Sequence, residues 1–200
     1  MGKIAVDVVL LPSQEMAQVA IKANRRLLLD HRGGIVLDSE SCLPHVSLAM
    51  GCIEQRDVDD VRGILHSLAH RHRIESLKVA GIHIETNSIG RQVSSVRIER
   101  DDAIQALHED VMERLAEYVS YDVAAEMLVS PSEVETSTLL WIENYRDKSS
   151  FANFFPHITL GYGVLEDFPL PASFTPSKLA LCHLGNHCTC RKRITAAKMI

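Results

Sequence analysis

No stretch of this chain approaches the ~20 consecutive apolar residues that a membrane-crossing helix requires. The opening apolar run, Ile4 to Leu11, is broken by Asp7 and is too short for the core of a secretion signal. An N-terminal acyl anchor is not expected either, because Gly2 is present but the hydroxyl residue needed at position 6 is Val6. Positive charge is not in excess: the formal net charge is −5, which argues against a protein that coats duplex nucleic acid by neutralising many phosphates. A small or single-stranded substrate suits it better, and no membrane partner is expected. Aromatic residues are few, at 5%, yet 46% of the chain is apolar and 24% charged, a balance that excludes disordered and collagen-like chains. The five cysteines are an odd number with no secretory context, so reduced thiols in a cytoplasmic protein are expected. No Pro/Gly/Ser-rich linker and no low-complexity segment divides the 200 residues, so residues 1–200 are read as one domain, acting as a monomer.

Acidic residues are absent after Asp167, while Lys178, Arg191, Lys192, Arg193 and Lys198 follow it. A solvated strand end and a rim that attracts phosphate are both open readings of that basic section.

Lys3 to Leu11 reads as a buried strand, and Pro12-Ser13 as a turn and cap that starts a helix running to about Asp30. Gly33-Gly34 punctuates, and Ser41 to Met50 reads as a second strand. Val58, Val61, Leu65 and Leu68 recur at helical spacing in a segment from about Asp57 to Arg71. Leu77 to Glu85 and Gln92 to Glu99 read as paired strands joined by Asn87-Ser88-Ile89-Gly90. Asp102 followed by Gln105 resembles a capping box at the head of a helix reaching about Tyr118. Thr138 to Glu143 reads as a strand, Asn144 to Ser150 as a polar loop and Pro156 to Tyr162 as another strand. Leu179 to Leu184 and His187 to Ile194 form a final pair around a two-residue Gly185-Asn186 turn. Strands interleaved with three helices indicate an α+β fold with largely antiparallel pairing.

Residues 44 to 51, Pro-His-Val-Ser-Leu-Ala-Met-Gly, match residues 156 to 163, Pro-His-Ile-Thr-Leu-Gly-Tyr-Gly. Proline, histidine, leucine and the last glycine are identical, and Val/Ile and Ser/Thr keep side-chain type. The two histidines lie 112 residues apart, which suggests two similar half-structures presenting the same local device. On a strand, residues i and i+2 share a face. His45 and Ser47 therefore point one way, as do His157 and Thr159, leaving Val46, Leu48, Ile158 and Leu160 to pack on the other side. If the halves bring these strands together, two imidazoles and two hydroxyls surround one phosphodiester. One histidine acts as base and the other as acid, while the hydroxyls hold non-bridging oxygens.

The paired H-x-[ST] motifs resemble those of the 2H phosphoesterase superfamily, in its 2′-5′ RNA ligase-like and cyclic phosphodiesterase branches. The resemblance implies a bilobal α+β fold of two pseudo-twofold related, mainly antiparallel sheets, with helices outside and a central cleft. It also implies hydrolysis of 2′,3′-cyclic or 2′-5′ phosphodiesters of nucleotides or RNA ends without metal or cofactor. His45 and His157 take the catalytic positions, and Ser47 and Thr159 the phosphate-binding ones. Many RNA-ligase-like members carry a basic residue soon after the second motif, where this chain has Gly161-Tyr162-Gly163. Arg91, Arg146, Arg191 or Arg193 would then supply charge from elsewhere.

Other features have plainer readings beside functional ones. Phe151 is a candidate for stacking a nucleobase, while Phe155 beside Pro156 is expected in the core. Tyr162, by alternation, faces away from His157. Cys182, His183, His187, Cys188 and Cys190 invite a zinc reading, but they straddle a tight hairpin without the separated pairs of a zinc site, and half-buried thiols are expected instead. The eight remaining histidines, His66, His70 and His72 on a helix among them, are read as surface or packing residues. A binding module that captures a phosphorylated nucleotide or RNA end without turnover is the alternative to an enzyme.

Overall fold

A computed structural model describes residues 2–30, 34–87 and 89–199. Gly33 and Ser88, which entered the sequence reading, lie outside them, as does His31, one of the eight histidines beside the motifs. The chain runs β1 (Lys3–Pro12), α1 (Gln14–Asp30), β2 (Val46–Glu54), α2 (Val58–Arg71), β3 (Leu77–Thr86), β4 (Gln92–Ile98), α3 (Asp102–Arg114), α4 (Thr136–Ser149), β5 (His157–Tyr162), β6 (Ser173–Phe174), β7 (Pro176–Gly185) and β8 (Thr189–Lys198). The strands lie in the order β6-β3-β4-β5-β2-β1-β7-β8, and every pairing is antiparallel. At the centre, β2 and β5 share a single pairing, Val46 with Ile158. The two sheet halves expected from the repeat meet there. None of the helices among the described residues is long and apolar enough to cross a membrane.

Alternation along β1 sends Val6, Val8 and Leu10 into the main core, where they join Met16, Leu27, Leu65, Ile104, Leu107 and Val111 from the helices. The opposite face carries a smaller cluster of Val9, Leu11, Ala180, Cys182 and Cys190. Helix α1 packs on β5, and α3 packs on β2. Each helix thus supports the motif strand of the other half.

Ser13 starts α1 as expected, its hydroxyl accepting from Met16 N–H at 3.3 Å. The cap of α3 is Asp101 rather than Asp102: its carboxylate accepts from the N–H groups of Ala103 and Ile104, each at 3.0 Å.

Three further expectations are corrected. Residues 136–149 form α4 rather than a strand and a loop. The apolar run there is too short for its periodicity to distinguish strand from helix, and the buried positions Thr138, Ile142 and Tyr145 follow helical spacing. The β7–β8 connection is a 3-10 turn, Asn186–Cys188, with positive φ at His187 and Cys188, rather than a two-residue turn. Asn186 Oδ1 accepts from Glu135 N–H and from the Thr138 hydroxyl, tying this turn to the start of α4. Finally, Cys182 and Cys190 form a disulfide, their Cα atoms 5.4 Å apart, while Cys42, Cys52 and Cys188 are free thiols. Both bonded cysteines face the smaller cluster, so the sheet itself brings them together.

Candidate active site

The Val46–Ile158 pairing aims both motifs at one place. In an antiparallel pair the flanking residues on a shared face lie across from one another, so His45 comes opposite Thr159 and Ser47 opposite His157. The imidazoles are close enough for the charge of His157 to depress the pKa of His45. Directly beyond each hydroxyl the strand bulges. Val9 pairs with Ser47 and Val8 with Ala49, which leaves Leu48 as the extra residue. Ser95 pairs with Thr159 and Ser94 with Gly161, which leaves Leu160. The repeat therefore extends to its backbone defects.

A bulged residue loses a ladder partner, and each exposed carbonyl is recovered by a buried side chain from a helix. On one side His108 Nδ1 donates to Leu48 O at 2.7 Å, and its Nε2 accepts from Phe151 N–H at 2.7 Å. His108 stacks on Phe154, the ring centroids 4.0 Å apart, and burial lowers its pKa, so the ring is held neutral. On the other side Asn24 Nδ2 donates to Leu160 O at 2.7 Å and to Ile35 O at 2.9 Å, while its Oδ1 accepts from Leu37 N–H at 2.9 Å. These two polar residues are fully buried, and their hydrogen bonds offset the desolvation cost.

The rings are oriented in the same way in both halves. His45 Nδ1 donates to Leu43 O at 2.7 Å and His157 Nδ1 donates to Phe155 O at 2.8 Å. Each bond reaches a carbonyl two residues back and fixes the tautomer, which leaves both Nε2 atoms as free bases. Burial pushes the His45 pKa down to about 4, and His157 adds to the effect. Burial also lowers His157, but Glu85 opposes the shift.

One feature breaks the symmetry. Asp7, fully buried on β1, pairs with Met50 of β2. Its Oδ2 lies 2.6 Å from Ser47 Oγ and 3.7 Å from His45 Nε2. Val93, paired with Tyr162, occupies the corresponding place in the other half. Burial raises the Asp7 pKa well above the usual carboxylate range, against the opposing effect of the Ser47 hydrogen bond. Its Oδ1 is buried without a partner.

Other expected site residues are less central. Phe151, expected to stack on a base, packs instead against the main core and edge-on to His108, at 5.9 Å between centroids. Phe155, expected in the core, is instead 37% exposed; it lies 5.6 Å from His157 and 5.2 Å from His83 between centroids, with the Arg97 guanidinium 5.3 Å over its ring. Arg97 itself pairs with His157 across β4 and β5. Arg146 stands at the Tyr121 hydroxyl and Arg191 at the Cys42 thiol. Tyr162 does not face away from His157. The Leu160 bulge shifts the parity by one, so Tyr162 pairs with Val93 on the face shared by Ser95 and Arg97. Its hydroxyl is 3.0 Å from His187 Nδ1, and Arg91 lies 5.3 Å over its ring. His183 Nε2 donates to Met127 O at 2.9 Å. Among the described residues no three His, Cys, Asp or Glu side chains gather as metal ligands.

Sequence reasoning missed Asp7, Asn24, His108 and Arg97. Only Asp7 left a signal, as a lone carboxylate in an otherwise apolar strand.

No protein-family model matches the chain, and no curated protein matches it closely. Among solved structures it is similar to E. coli LigT in apo form, with 13% identity and a TM-score of 0.55 over 100% of this chain and 99% of that one. It is also similar to a structure described as a phosphoesterase, with 14% identity and a TM-score of 0.51 over the same shares of the two chains. With its two halves joined at Val46 and Ile158, and a matching motif and bulge in each, the chain shares the fold of LigT and of that phosphoesterase.

Proposed function

We propose that this protein is a phosphoesterase that hydrolyses a 2′,3′-cyclic or 2′-5′-linked phosphodiester of a nucleotide or RNA end. The observation that carries the reading is the matched orientation of His45 and His157, each locked through Nδ1 so that a basic Nε2 is free beside a hydroxyl of the other motif. His45, with the pKa lowered to about 4, is the base. Its Nε2 takes a proton from water as the water oxygen bonds to phosphorus. The phosphorus–ribose oxygen bond breaks, and protonated His157 delivers its Nε2 proton to the departing oxygen, giving a phosphomonoester. Ser47 and Thr159 hold the non-bridging oxygens as charge develops on them. These two proton transfers need no metal. Phe155 with Arg97 over its ring supplies a flat surface for a base and a positive charge for phosphate on the His157 side.

The test is turnover against 2′,3′-cyclic nucleotides, 2′-5′ oligoadenylates, cyclic dinucleotides and RNA ends, with the position of the product phosphate determined. Hydrolysis of a cyclic or 2′-5′ substrate in the presence of EDTA is the expected result. Tight binding with no product across the whole panel would make the protein a binding module instead.

A further inference from the structure

The pseudo-twofold repeat gives each motif a hydroxyl, but only one hydroxyl has a carboxyl group behind it. Asp7 is wholly buried, reaches Ser47 Oγ at 2.6 Å and lies 3.7 Å from His45 Nε2, while the symmetry-related place beside Thr159 holds Val93. A carboxyl in that position orients Ser47 in one of two ways. An ionised carboxylate accepts the serine proton and turns the hydroxyl away from the cleft, leaving lone pairs facing an anionic substrate. A protonated carboxyl donates to Ser47 Oγ, so the serine hydrogen is free to reach a phosphate oxygen.

The surroundings decide between them. Asp7 is faced by Ser47 from β2 and His45 just before it, by Tyr145 from α4, by Cys188 from the turn before β8, and by the disulfide-bonded Cys182 of β7. Among the described residues no Lys or Arg lies at ion-pair distance, and His45, the only cationic candidate, is itself held neutral by burial. Desolvation without a compensating cation favours the uncharged acid.

We propose that Asp7 is a positioning residue that works as a neutral acid, donating its proton to Ser47 Oγ and thereby making the Ser47 hydroxyl a hydrogen-bond donor to bound phosphate. This rests on the reading of the cleft as a phosphate site. It makes the two motifs unequal: Ser47 is oriented from behind and Thr159 is not.

Inorganic phosphate is the probe, titrated by calorimetry at pH 6 into the wild type, Asp7→Val, Asp7→Asn, Ser47→Ala and the Asp7→Val/Ser47→Ala double variant. Thermal melting of each variant checks its fold. Asp7→Val removes the donor and is expected to weaken binding about tenfold. Asp7→Asn, whose amide still donates, restores it to within about threefold. In the Ser47→Ala background the Asp7→Val substitution has no further effect, because the residue acts only through that hydroxyl. A loss in Asp7→Asn as large as in Asp7→Val overturns the proposal, as does an Asp7→Val effect that persists without Ser47 or a wild type that does not bind phosphate. Turnover of phosphodiesters is measured separately. An active wild type without rescue by Asn sinks the role of Asp7 and leaves the function standing; rescue in an inactive wild type does the reverse.

Discussion

Val46 and Ile158 form the only cross-strand pair between β2 and β5. Because that pair is antiparallel and lies between His45 and Ser47 on one strand and His157 and Thr159 on the other, it converts two sequence repeats into one four-residue face. Away from it the strands part, and the bulges at Leu48 and Leu160 turn each strand immediately beyond its hydroxyl.

The first consequence concerns pH. A neutral base and a protonated acid are required together, so kcat/KM rises as His45 loses its proton near pH 4 and falls as His157 loses its own below the ordinary histidine value of 6.5. The expected profile is a bell with a mildly acidic optimum. An optimum above pH 8 would exclude this pair of roles.

Burial of Asp7 has a consequence for stability. Burial holds its folded pKa well above the usual carboxylate range, so at higher pH the unfolded chain releases a proton that the folded chain keeps. The unfolded state then binds fewer protons, and stability falls as pH rises from about 4 toward the folded pKa. Asp7→Asn removes this loss. Its Tm is expected to exceed that of the wild type by about 2–4 °C at pH 7–8, with the gap closing below about pH 4. A variant less stable than wild type at pH 8 would contradict the sign.

The polar residues behind the bulges hold the motifs in place. Asn24→Ala leaves the Leu37 N–H and the Leu160 carbonyl without their buried partner. It is expected to cost about 2–4 kcal/mol in urea unfolding, with an unchanged m-value. A loss below 0.5 kcal/mol would mean that the bulge is held by something else.

Phe155 offers a selective test of substrate contact. Phe155→Ala is expected to raise KM about tenfold or more for nucleotides, with little change in kcat, since loss of a stacking surface removes binding common to ground and transition states. Unchanged KM would remove Phe155 from the site.

Much of this arrangement was legible in local sequence: the strand period around each motif, the hydroxyl two residues after each histidine, and the match of residues 44–51 with 156–163. The convergence required only that matched segments fold alike. What escaped depends on partners far apart in the chain. Asn24 reaches Leu160 across 136 residues, His108 reaches Leu48 across 60, and Asp7 meets Ser47 across 40. Nothing in the neighbourhood of Asn24 or His108 marks it as a hydrogen-bonded core residue, and the apolar strand around Asp7 marks that carboxylate as unusual without naming its partner. The Tyr162 misreading has a similar cause, since alternation counts residues and cannot register the bulge at Leu160. Helix α4 was misread because a run of apolar residues bears no periodicity, and its helical stripe emerges only once Tyr145 is counted with Thr138 and Ile142.

Single-turnover hydrolysis of a 2′,3′-cyclic nucleotide by His45→Ala, His157→Ala and the double variant tests the pairing most directly. Each single substitution is predicted to lower the rate about 10²–10⁴-fold, and the double to be little slower than either alone, because the two rings act as a unit. A single variant that keeps its rate within about threefold of the wild type would contradict the two-histidine account.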